Sequence, residues 1–336
     1  MHMADSVLSP AVAYGFIGAG AVGLGAAATL ARRTFHESKV PLMGVMGAFV
    51  FAAQMVNFPV LTGTSGHLGG GVLLAILLGP HVAALVMAAI LTVQCLVFQD
   101  GGLLALGCNV FNMGIVAPYL GHALYRAILG RRGGEKSAGR LYLASFAAAL
   151  VGVAASSAMV PAQIALSKQL AVPFSVAFPL MVGVHLLIGV VEGLITFAAL
   201  AYLVQVRPDV LDVQVRGKER LSRRAVVGSI AVFALLVGGL GSLVASGLPD
   251  GLDWLWESKG YVKPAEEAHP TMAEVSKAHE RMAPLPGYSA GEDAPAYWTS
   301  LSGILGSAAT LGVVYLIAMA VRRRMPAHAH PHPHSH

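Results

Sequence analysis

The run HVAALVMAAILTVQCLVF, residues 81–98, contains no Asp, Glu, Lys or Arg. An apolar segment of about 20 residues is long enough to cross a bilayer as a helix, which satisfies its backbone hydrogen bonds internally. Comparable apolar runs lie at 11–31, 41–58, 69–79, 103–128, 141–166, 176–205, 225–246 and 302–322. The pattern predicts an all-α polytopic membrane protein with about nine crossings.

The composition of the whole chain also indicates a membrane protein. Of its 336 residues, 56% are apolar and 12% are charged, and the mean hydropathy is +0.68. A soluble domain has about a quarter of its residues charged, so this composition excludes a soluble globule, a disordered chain, collagen and a coiled coil. The two cysteines, Cys95 and Cys108, both lie in apolar runs, which excludes a disulfide framework.

The run at 69–79 is too short for an ordinary crossing. Three glycines at 69–71 precede it, and Gly79-Pro80 separates it from the next run. We therefore predict a broken helix here, which a membrane protein tolerates only where protein or a cavity surrounds the chain.

Basic residues predict the orientation. Seventeen of the 22 Lys and Arg residues fall in alternate loops, at 32–40, 126–140, 207–224 and 322–324. Because basic loops stay in the cytoplasm, we predict a plasma (inner) membrane protein with an extracytoplasmic amino terminus and a cytoplasmic carboxyl terminus. The net charge of +5 follows from this topology and does not indicate nucleic-acid binding. No removable signal peptide is expected, because no basic segment precedes the long first apolar run.

Polar stretches predict two membrane modules joined by a linker. In chain order we predict a module of about seven spans at 1–206, a basic cytoplasmic linker at 207–224, a two-span module at 225–322 and a His-rich cytoplasmic tail at 323–336. The second module includes an extracytoplasmic region at 247–301, which carries nine of the 17 acidic residues. Its many prolines predict a loop-rich region with at most one helix, around 271–282.

The amino terminus offers a chelating group. The Met1 amine, the deprotonated amide nitrogen of His2 and the His2 imidazole can bind one divalent ion in two adjoining chelate rings. Three coplanar nitrogens and a fourth from elsewhere make a square-planar site that suits Ni(II) or Cu(II). Met1 is expected to be retained, because methionine aminopeptidase prefers a smaller second residue than His2. The alternative is a chance Met-His start.

The loop LTGTSGHLGGG, residues 61–71, places His67 on the same predicted side of the membrane as the amino terminus. Its small residues let backbone pack closely around one imidazole, so His67 is a second candidate ligand. The alternative is a hydrogen-bonded structural histidine in a tightly packed loop.

Further polar residues lie in or near the spans. They are Gln54, Asn57, Gln94, Asp100, Asn109 and Asn112. Each either orients a ligand by hydrogen bonding or joins two helices. Asn109 is the best candidate for the first role. His185 and Glu192 share one helix face, and ionisable residues within spans indicate function. The alternative for this pair is that both satisfy neighbouring polar groups.

The sequence contains no nucleophile–base arrangement and no Gly-rich phosphate loop. We therefore predict no catalytic residue, no catalytic cofactor and no enzyme activity. Energy from ATP, if it is used, must come from a partner. The tail AHAHPHPHSH is either a cytoplasmic metal-binding segment or a remnant of a purification tag.

The chain resembles the NikM/CbiM proteins, the substrate-binding (S) components of energy-coupling-factor transporters for nickel and cobalt. The resemblance lies in MHMADSVLSP at 1–10, FVFAAQMVNFPVLTGTSGHLGGG at 49–71, LLGPHVAALVMAAILTVQCLVFQDGGLLALGCNVFNMG at 77–114 and HLLIGVVEG at 185–193. PDGLDW at 249–254 and PLPGY at 284–288 resemble the small N component of the same systems. The whole chain thus resembles an M–N fusion.

The resemblance implies that Ni²⁺ or Co²⁺ is the transported substrate, held by the Met1 amine, the His2 amide nitrogen and the imidazoles of His2 and His67. Asp5, Ser65 and Asn109 are then expected to support these ligands. Ser6 stands where the family usually has Gly, and the loop sequence TSGH resembles the nickel branch more than the cobalt branch, although Cu(II) would suit the same nitrogens.

The resemblance also implies partners: a transmembrane coupling (T) subunit and cytoplasmic ATPases of an ABC-type transporter. The region 247–301 would assist loading or shape the loop around the site. The alternatives are a self-sufficient secondary transporter or channel that uses Glu192, a cobalt-specific S component, a membrane enzyme and a structural scaffold.

Overall fold

The computed structural model describes residues 2–34, 39–61, 63–130, 137–168, 172–206, 245–250, 254, 268–291 and 294–323, with scattered positions between 224 and 237. Several sequence predictions lie outside these residues: the ligand Met1, nearly all of the linker 207–224, most of the run 225–246 and the tail beyond Arg323.

The described residues form helices and one hairpin. In chain order they are α1 (Pro10–Thr34), α2 (Val40–Gln54), β1 (Phe58–Leu61), β2 (Thr64–Gly66), α3 (Gly71–Leu78), α4 (Pro80–Phe98), α5 (Leu106–Asn109), α6 (Ala117–Leu129), α7 (Ala138–Ser167), α8 (Phe174–Val206), α9 (Pro270–Met282) and α10 (Tyr297–Arg323). The predicted all-α membrane fold is confirmed.

Five described helices are long and apolar enough to cross a membrane: Pro10–Arg33, Pro80–Phe98, Gly139–Ser167, Phe174–Leu203 and Tyr297–Arg322. A sixth, Val40–Gln54, is apolar but shorter. These six helices correspond to six of the predicted apolar runs. Of the other runs, 69–79 and 103–128 form interrupted helices, and 225–246 lies largely outside the described residues.

The break predicted at 69–79 is present. Helix α3 begins after Gly70, at φ 76°, and ends before Gly79, at φ 87°, both in the region that favours glycine. Its 8 residues extend only about 12 Å, less than half of a hydrocarbon core of about 30 Å. Every residue of α3 is buried, so protein surrounds this half-length helix.

The run at 103–128 contains a π-helix, Val110–Val116, between α5 and α6. A π-helical turn adds a residue to the helical repeat and is frequent at functional sites. Here it lies next to Asn109 and includes Asn112, and both side chains are buried.

The last helix of the second predicted module packs on the first module. Helix α10 lies against α2 and α4, where small residues permit close approach. Gly306 lies directly against the Phe51 ring, and a side chain at Gly47 would meet Val314.

Helix α9 covers the end of α4. It begins at Pro270, one residue before the predicted helix, after a cap in which the Thr271 amide donates to His269 Nδ1. His279 is buried, and its Nε2 donates to the Cys95 carbonyl at 2.8 Å. The segment after α9 then returns to the bundle, where the Leu285 amide donates to the Val97 carbonyl at 3.0 Å.

The β1–β2 hairpin stands at the same end of the bundle. Its strands are antiparallel, with Phe58 opposite Gly66. A second-module segment, 246–250, pairs with it: the Ser65 amide donates to the Pro249 carbonyl at 2.8 Å, and Ser65 forms a parallel bridge with Asp250. This end of the molecule therefore combines the amino-terminal residues, the hairpin and two segments of the second module.

Candidate metal site

The main chain of the amino-terminal segment is held by the segment 102–109. The Met3 amide donates to Asn109 Oδ1 at 2.8 Å, and the Met3 carbonyl accepts from the Gly102 amide at 2.8 Å and from Asn109 Nδ2 at 3.2 Å. Asn109 thus bonds both backbone groups of the residue after His2. These bonds direct His2 into the end of the bundle, where its side chain is 7% exposed.

Asp5 forms a second anchor. Its carboxylate accepts the backbone N–H groups of Leu103, Leu104 and Ala105 at 3.0, 2.8 and 2.8 Å. Burial raises the pKa of Asp5, although its backbone hydrogen bonds oppose this rise. Asp5 and Asn109, both predicted to support the ligands, therefore hold the main chain on the carboxyl side of His2.

A chain of amide side chains reaches the imidazole of His2. Gln54 Nε2 donates to the Gly69 carbonyl at 2.7 Å, and Gln94 Nε2 donates to the Gln54 oxygen at 2.8 Å. Because a carbonyl can only accept, the Gln94 oxygen is left facing His2 Nε2, 3.1 Å away. His2 Nε2 therefore faces an acceptor, and Nδ1 faces the Asp100 carboxylate oxygen 3.2 Å away. Nδ1 is the atom that closes a chelate ring with the amide nitrogen of the same residue.

His67 is oriented by its own main chain. Its Nδ1 lies 3.0 Å from the Leu68 carbonyl, so Nδ1 carries the proton and Nε2 the lone pair. The rings of His2 and His67 are stacked, with centroids 5.1 Å apart and planes 22° apart. Two imidazoles from segments far apart in the sequence thus meet.

The electrostatic surroundings keep both imidazoles neutral. Burial lowers the pKa of His67 to about 3. Burial also lowers the pKa of His2, against the opposing effect of Asp100. Neutral imidazole is the form that binds a metal.

Asp100 places a carboxylate beside the two rings, with Oδ1 3.2 Å from His2 Nδ1. Burial raises the pKa of Asp100, whereas the positive charge of a protonated His2 and the hydrogen bond from Tyr288 lower it, and the net pKa lies below its ordinary value. The Tyr288 hydroxyl donates to Asp100 Oδ2 at 2.6 Å. A negative charge beside two neutral imidazoles favours a cation at this position.

The second module forms one wall of the site. A cavity of about 360 Å³ is lined by His2, Gln54, Met55, Asn57, His67, Phe98, Gln99, Asp100, Leu248, Pro249, Asp250, Gly287 and Tyr288. Ser65, predicted to support the ligands, holds this wall: its hydroxyl donates to the Leu248 carbonyl at 2.6 Å.

The two ionisable residues predicted on one face of a span have different contacts. His185 is buried, and its Nδ1 donates to the Met181 carbonyl at 2.7 Å, within the same helix. Glu192 is buried and accepts the amides of Gly69 and Gly70 at 2.7 and 3.0 Å. Glu192 therefore reaches the loop that carries His67, whereas His185 does not.

Other polar residues divide between the site and interhelical contacts. Gln54 and Gln94 connect to His2, whereas Asn112 exchanges two hydrogen bonds of 2.8 Å with Gln163. Among the described residues, no group of three or more His, Cys, Asp or Glu side chains forms a metal cluster. A four-nitrogen site that includes an amine and a backbone amide needs only two imidazoles, and so does not require such a cluster.

Sequence reasoning missed two residues of the second module as members of the site, Asp250 and Tyr288. Both lie within the segments PDGLDW and PLPGY, which connect to the site in the sequence only through the family resemblance. Hydropathy could not connect them to His2, because both lie in polar stretches remote from it in sequence.

The fold and the site together define a polytopic membrane protein with a buried, histidine-containing cavity at one end of its helices. Residues 2–210 match the CbiM family, described as a cobalt uptake substrate-specific transmembrane region, and residues 224–323 match the PDGLE domain. The chain belongs to the CbiM family and carries a PDGLE domain after it. It is a membrane transport protein and not an enzyme.

Relatives and solved structures agree with this assignment. A fused nickel transport protein NikMN of Archaeoglobus fulgidus is 33% identical over 84% of this chain and 86% of its own length. The cobalt transport protein CbiM of Streptomyces coelicolor is 36% identical over 38% of this chain and 56% of its own. A crystal structure of a truncated transition metal transporter superposes with a TM-score of 0.54 at 33% identity, covering 61% of this chain and 98% of that one.

Proposed function

We propose that this protein binds Ni²⁺ outside the cell and delivers it inward as the substrate-binding subunit of an ATP-driven energy-coupling-factor transporter. The ion is its cargo. The proposed ligands are the Met1 amine, the amide nitrogen and Nδ1 of His2, and Nε2 of His67. Asp5 and Asn109 anchor the amino-terminal segment that carries the first three nitrogens.

The observation that carries this proposal is the meeting of His2 and His67 in one buried cavity, with centroids 5.1 Å apart. A metal–nitrogen distance of about 2 Å lets one ion reach both rings. The chelate ring uses Nδ1 of His2, and the hydrogen bond of His67 Nδ1 to the Leu68 carbonyl leaves the His67 lone pair on Nε2. Together with the Met1 amine and the His2 amide nitrogen, these two nitrogens supply the four ligands of a square-planar ion.

Nickel is proposed over cobalt because a planar set of four nitrogens suits the preferred geometry of Ni(II). The fused relative is named for nickel, and the CbiM relative is named for cobalt. A competition titration with both ions would rank them, and tighter Co²⁺ binding would favour a cobalt-specific protein.

The proposed partners are a transmembrane coupling subunit and cytoplasmic ATPases. The sequence contains no phosphate-binding loop of its own, and the family is described as substrate-specific. We assign the first module, 1–206, to metal binding, and the second, 225–322, to covering the site from the extracytoplasmic side. This orientation follows from the basic loops.

The proposal predicts that metal binding depends on the free amino terminus. Adding one residue before Met1 moves the amine out of the chelate, because the new peptide bond removes the basic nitrogen. We expect the native chain to bind nickel one-to-one and the extended chain to lose at least about 100-fold in affinity. Titration of both purified chains, followed by nickel absorption and metal content, measures this difference.

Thermal unfolding without metal is the control, and both chains should unfold at similar temperatures. Equal nickel affinity in the two chains would place the metal elsewhere, for example in the histidine-rich tail. Nickel binding by a variant that lacks residues 325–336 then tests whether the tail holds the metal.

A further inference from the structure

Helix α8 contacts the loop that carries His67. Glu192 lies near the middle of α8 and is 1% exposed. Its two carboxylate oxygens accept two successive backbone amides, those of Gly69 at 2.7 Å and Gly70 at 3.0 Å. Hydrogen bonds to a carboxylate are stronger than those between neutral groups, so this contact restrains the chain two residues after His67.

The same contact extends to His2. The carbonyl of Gly69 accepts from Gln54, Gln54 accepts from Gln94, and the Gln94 oxygen faces His2 Nε2. The peptide units around Gly69 are therefore bonded on one side to Glu192 and on the other side to the side chains that reach His2 Nε2.

Close packing around Gly69 and Gly70 restricts the position of the loop. A side chain at Gly69 would come within 2.9 Å of Glu192 Oε2, and one at Gly70 would meet Val50 at 2.5 Å. One turn earlier on α8, Ile188 fills the space beside Gly66 and packs with Phe58 and Val60 of the hairpin. Helix α8 thus supports the loop on both sides of His67.

We propose that Glu192 is a positioning residue for the metal site, which holds both His67 and the hydrogen-bond chain to His2 in their binding geometry. It acts through the Gly69–Gly70 main chain and does not bind the metal. This inference rests on the proposed ligand role of His67.

The test compares Glu192→Gln with Thr196→Val in the purified full chain with its native amino terminus. Glutamine keeps the shape and one acceptor oxygen but turns an NH₂ group toward a backbone amide. Thr196 lies one turn further along α8 and is buried, and its hydroxyl has no hydrogen-bond partner among the described residues. Thr196→Val therefore measures the effect of a buried polar change that does not touch the loop.

We expect Glu192→Gln to weaken nickel binding about tenfold and to shift the visible absorption band of the bound nickel, because His67 is displaced in the metal plane. Side-chain ¹⁵N NMR should also show His67 losing its single tautomer in the metal-free protein. Thr196→Val should retain the wild-type affinity, band and tautomer. A lower melting temperature with unchanged affinity, band and tautomer would mean that Glu192 is only structural.

Gly69→Ala tests the same contact from the loop side, in case Glu192→Gln does not fold. Its methyl group crowds Glu192 Oε2 while keeping the carboxylate, and we expect the same loss of affinity. Wild-type nickel binding by folded Gly69→Ala would overturn the inference. His67→Ala separates the two proposals: if it binds nickel normally, the ligand assignment fails, and if it loses binding while Glu192→Gln does not, only the role of Glu192 fails.

Discussion

The protonation state of the two imidazoles follows from their burial. An ordinary histidine titrates near pH 6.5, but His67 is desolvated and has a pKa of about 3. The pKa of His2 is also lowered by burial, and Asp100 only partly offsets this effect. Both rings are therefore ready to bind a cation at a pH where exposed histidines would first have to lose a proton.

This gives a prediction for the pH dependence of nickel capture. Below the amine pKa of about 7.7–8.0, binding displaces one proton from the Met1 amine and one from the His2 amide. The affinity should therefore rise with pH, with the logarithm of the association constant increasing by about two per unit below about pH 7, over the range in which both imidazoles are neutral. Nickel titrations of the purified chain at a series of pH values measure this slope.

The size of this slope distinguishes buried from exposed imidazoles. Imidazoles with an ordinary pKa would release two further protons below about pH 6.5, and the slope would approach four. A synthetic peptide with the first six residues is the control, because its exposed His2 should steepen the slope in the same range. A steepening of the slope for the whole chain near pH 6.5 would contradict the prediction.

At the scale of elements, the site depends on an extended segment with little structure of its own. Residues 2–4 precede a single 3₁₀ turn at Asp5–Val7, and they are held in place by the segment 102–109. Asp5 supplies three of these hydrogen bonds from one carboxylate, in the way that an acidic residue caps the start of a helix. The non-helical region between α4 and α5 is therefore useful, because its backbone amides are free of helical hydrogen bonds and can bond the amino-terminal segment.

We predict that Asp5→Ala releases the amino-terminal segment and weakens nickel binding by about tenfold or more. The change leaves three backbone amides of residues 103–105 without their charged acceptor, and such groups are costly to bury unpaired. Nickel titration and hydrogen exchange of the Met3 amide measure the effect. Glu274→Gln, which removes an exposed carboxylate from α9, is the matched control. Unchanged affinity and protection in Asp5→Ala would show that Asn109 is a sufficient anchor.

At the scale of the whole molecule, the second module completes the end of the bundle that contains His2 and His67. Residues 246–250 pair with the hairpin, and the segment after α9 brings Tyr288 to Asp100. Helix α10 packs on α2 and α4, so the two modules share an interface along the bundle as well as at the site. A cavity closed on one side by the protein's own loops requires a further movement for the ion to reach the cytoplasm.

We predict that this movement needs partner subunits. Vesicles that contain the chain alone should bind nickel without accumulating it, whereas vesicles that also contain the coupling subunit and ATPases should accumulate it when ATP is supplied. Radioactive nickel uptake measures the difference, and a chain carrying one extra residue before Met1 provides the background. Accumulation by the chain alone would favour the self-sufficient transporter.

Much of the architecture was predictable because hydropathy and charge are properties of continuous segments. The apolar runs predicted the main helices, the glycines at 69–71 and 79 predicted the break around α3, and the prolines of the second module left room for one helix, observed at Pro270–Met282. The hairpin was not predicted, because its strands have only 4 and 3 residues and include a proline and a glycine. Helix α10 begins at Tyr297, before the apolar run at 302–322. The residues that precede this run therefore extend the helix toward the second-module loops.

By itself, the sequence determined the membrane class, the two-module organisation as a prediction, and His2 and His67 as candidate ligands. Only the tertiary structure decided that their rings meet, that Nε2 of His67 carries the lone pair, and that Asp100, Tyr288 and Glu192 contact the site or its loop. The reason is the range of the interactions. Hydropathy acts along the chain, whereas these hydrogen bonds join residues such as Glu192 and Gly69, 123 positions apart, which only packing brings together.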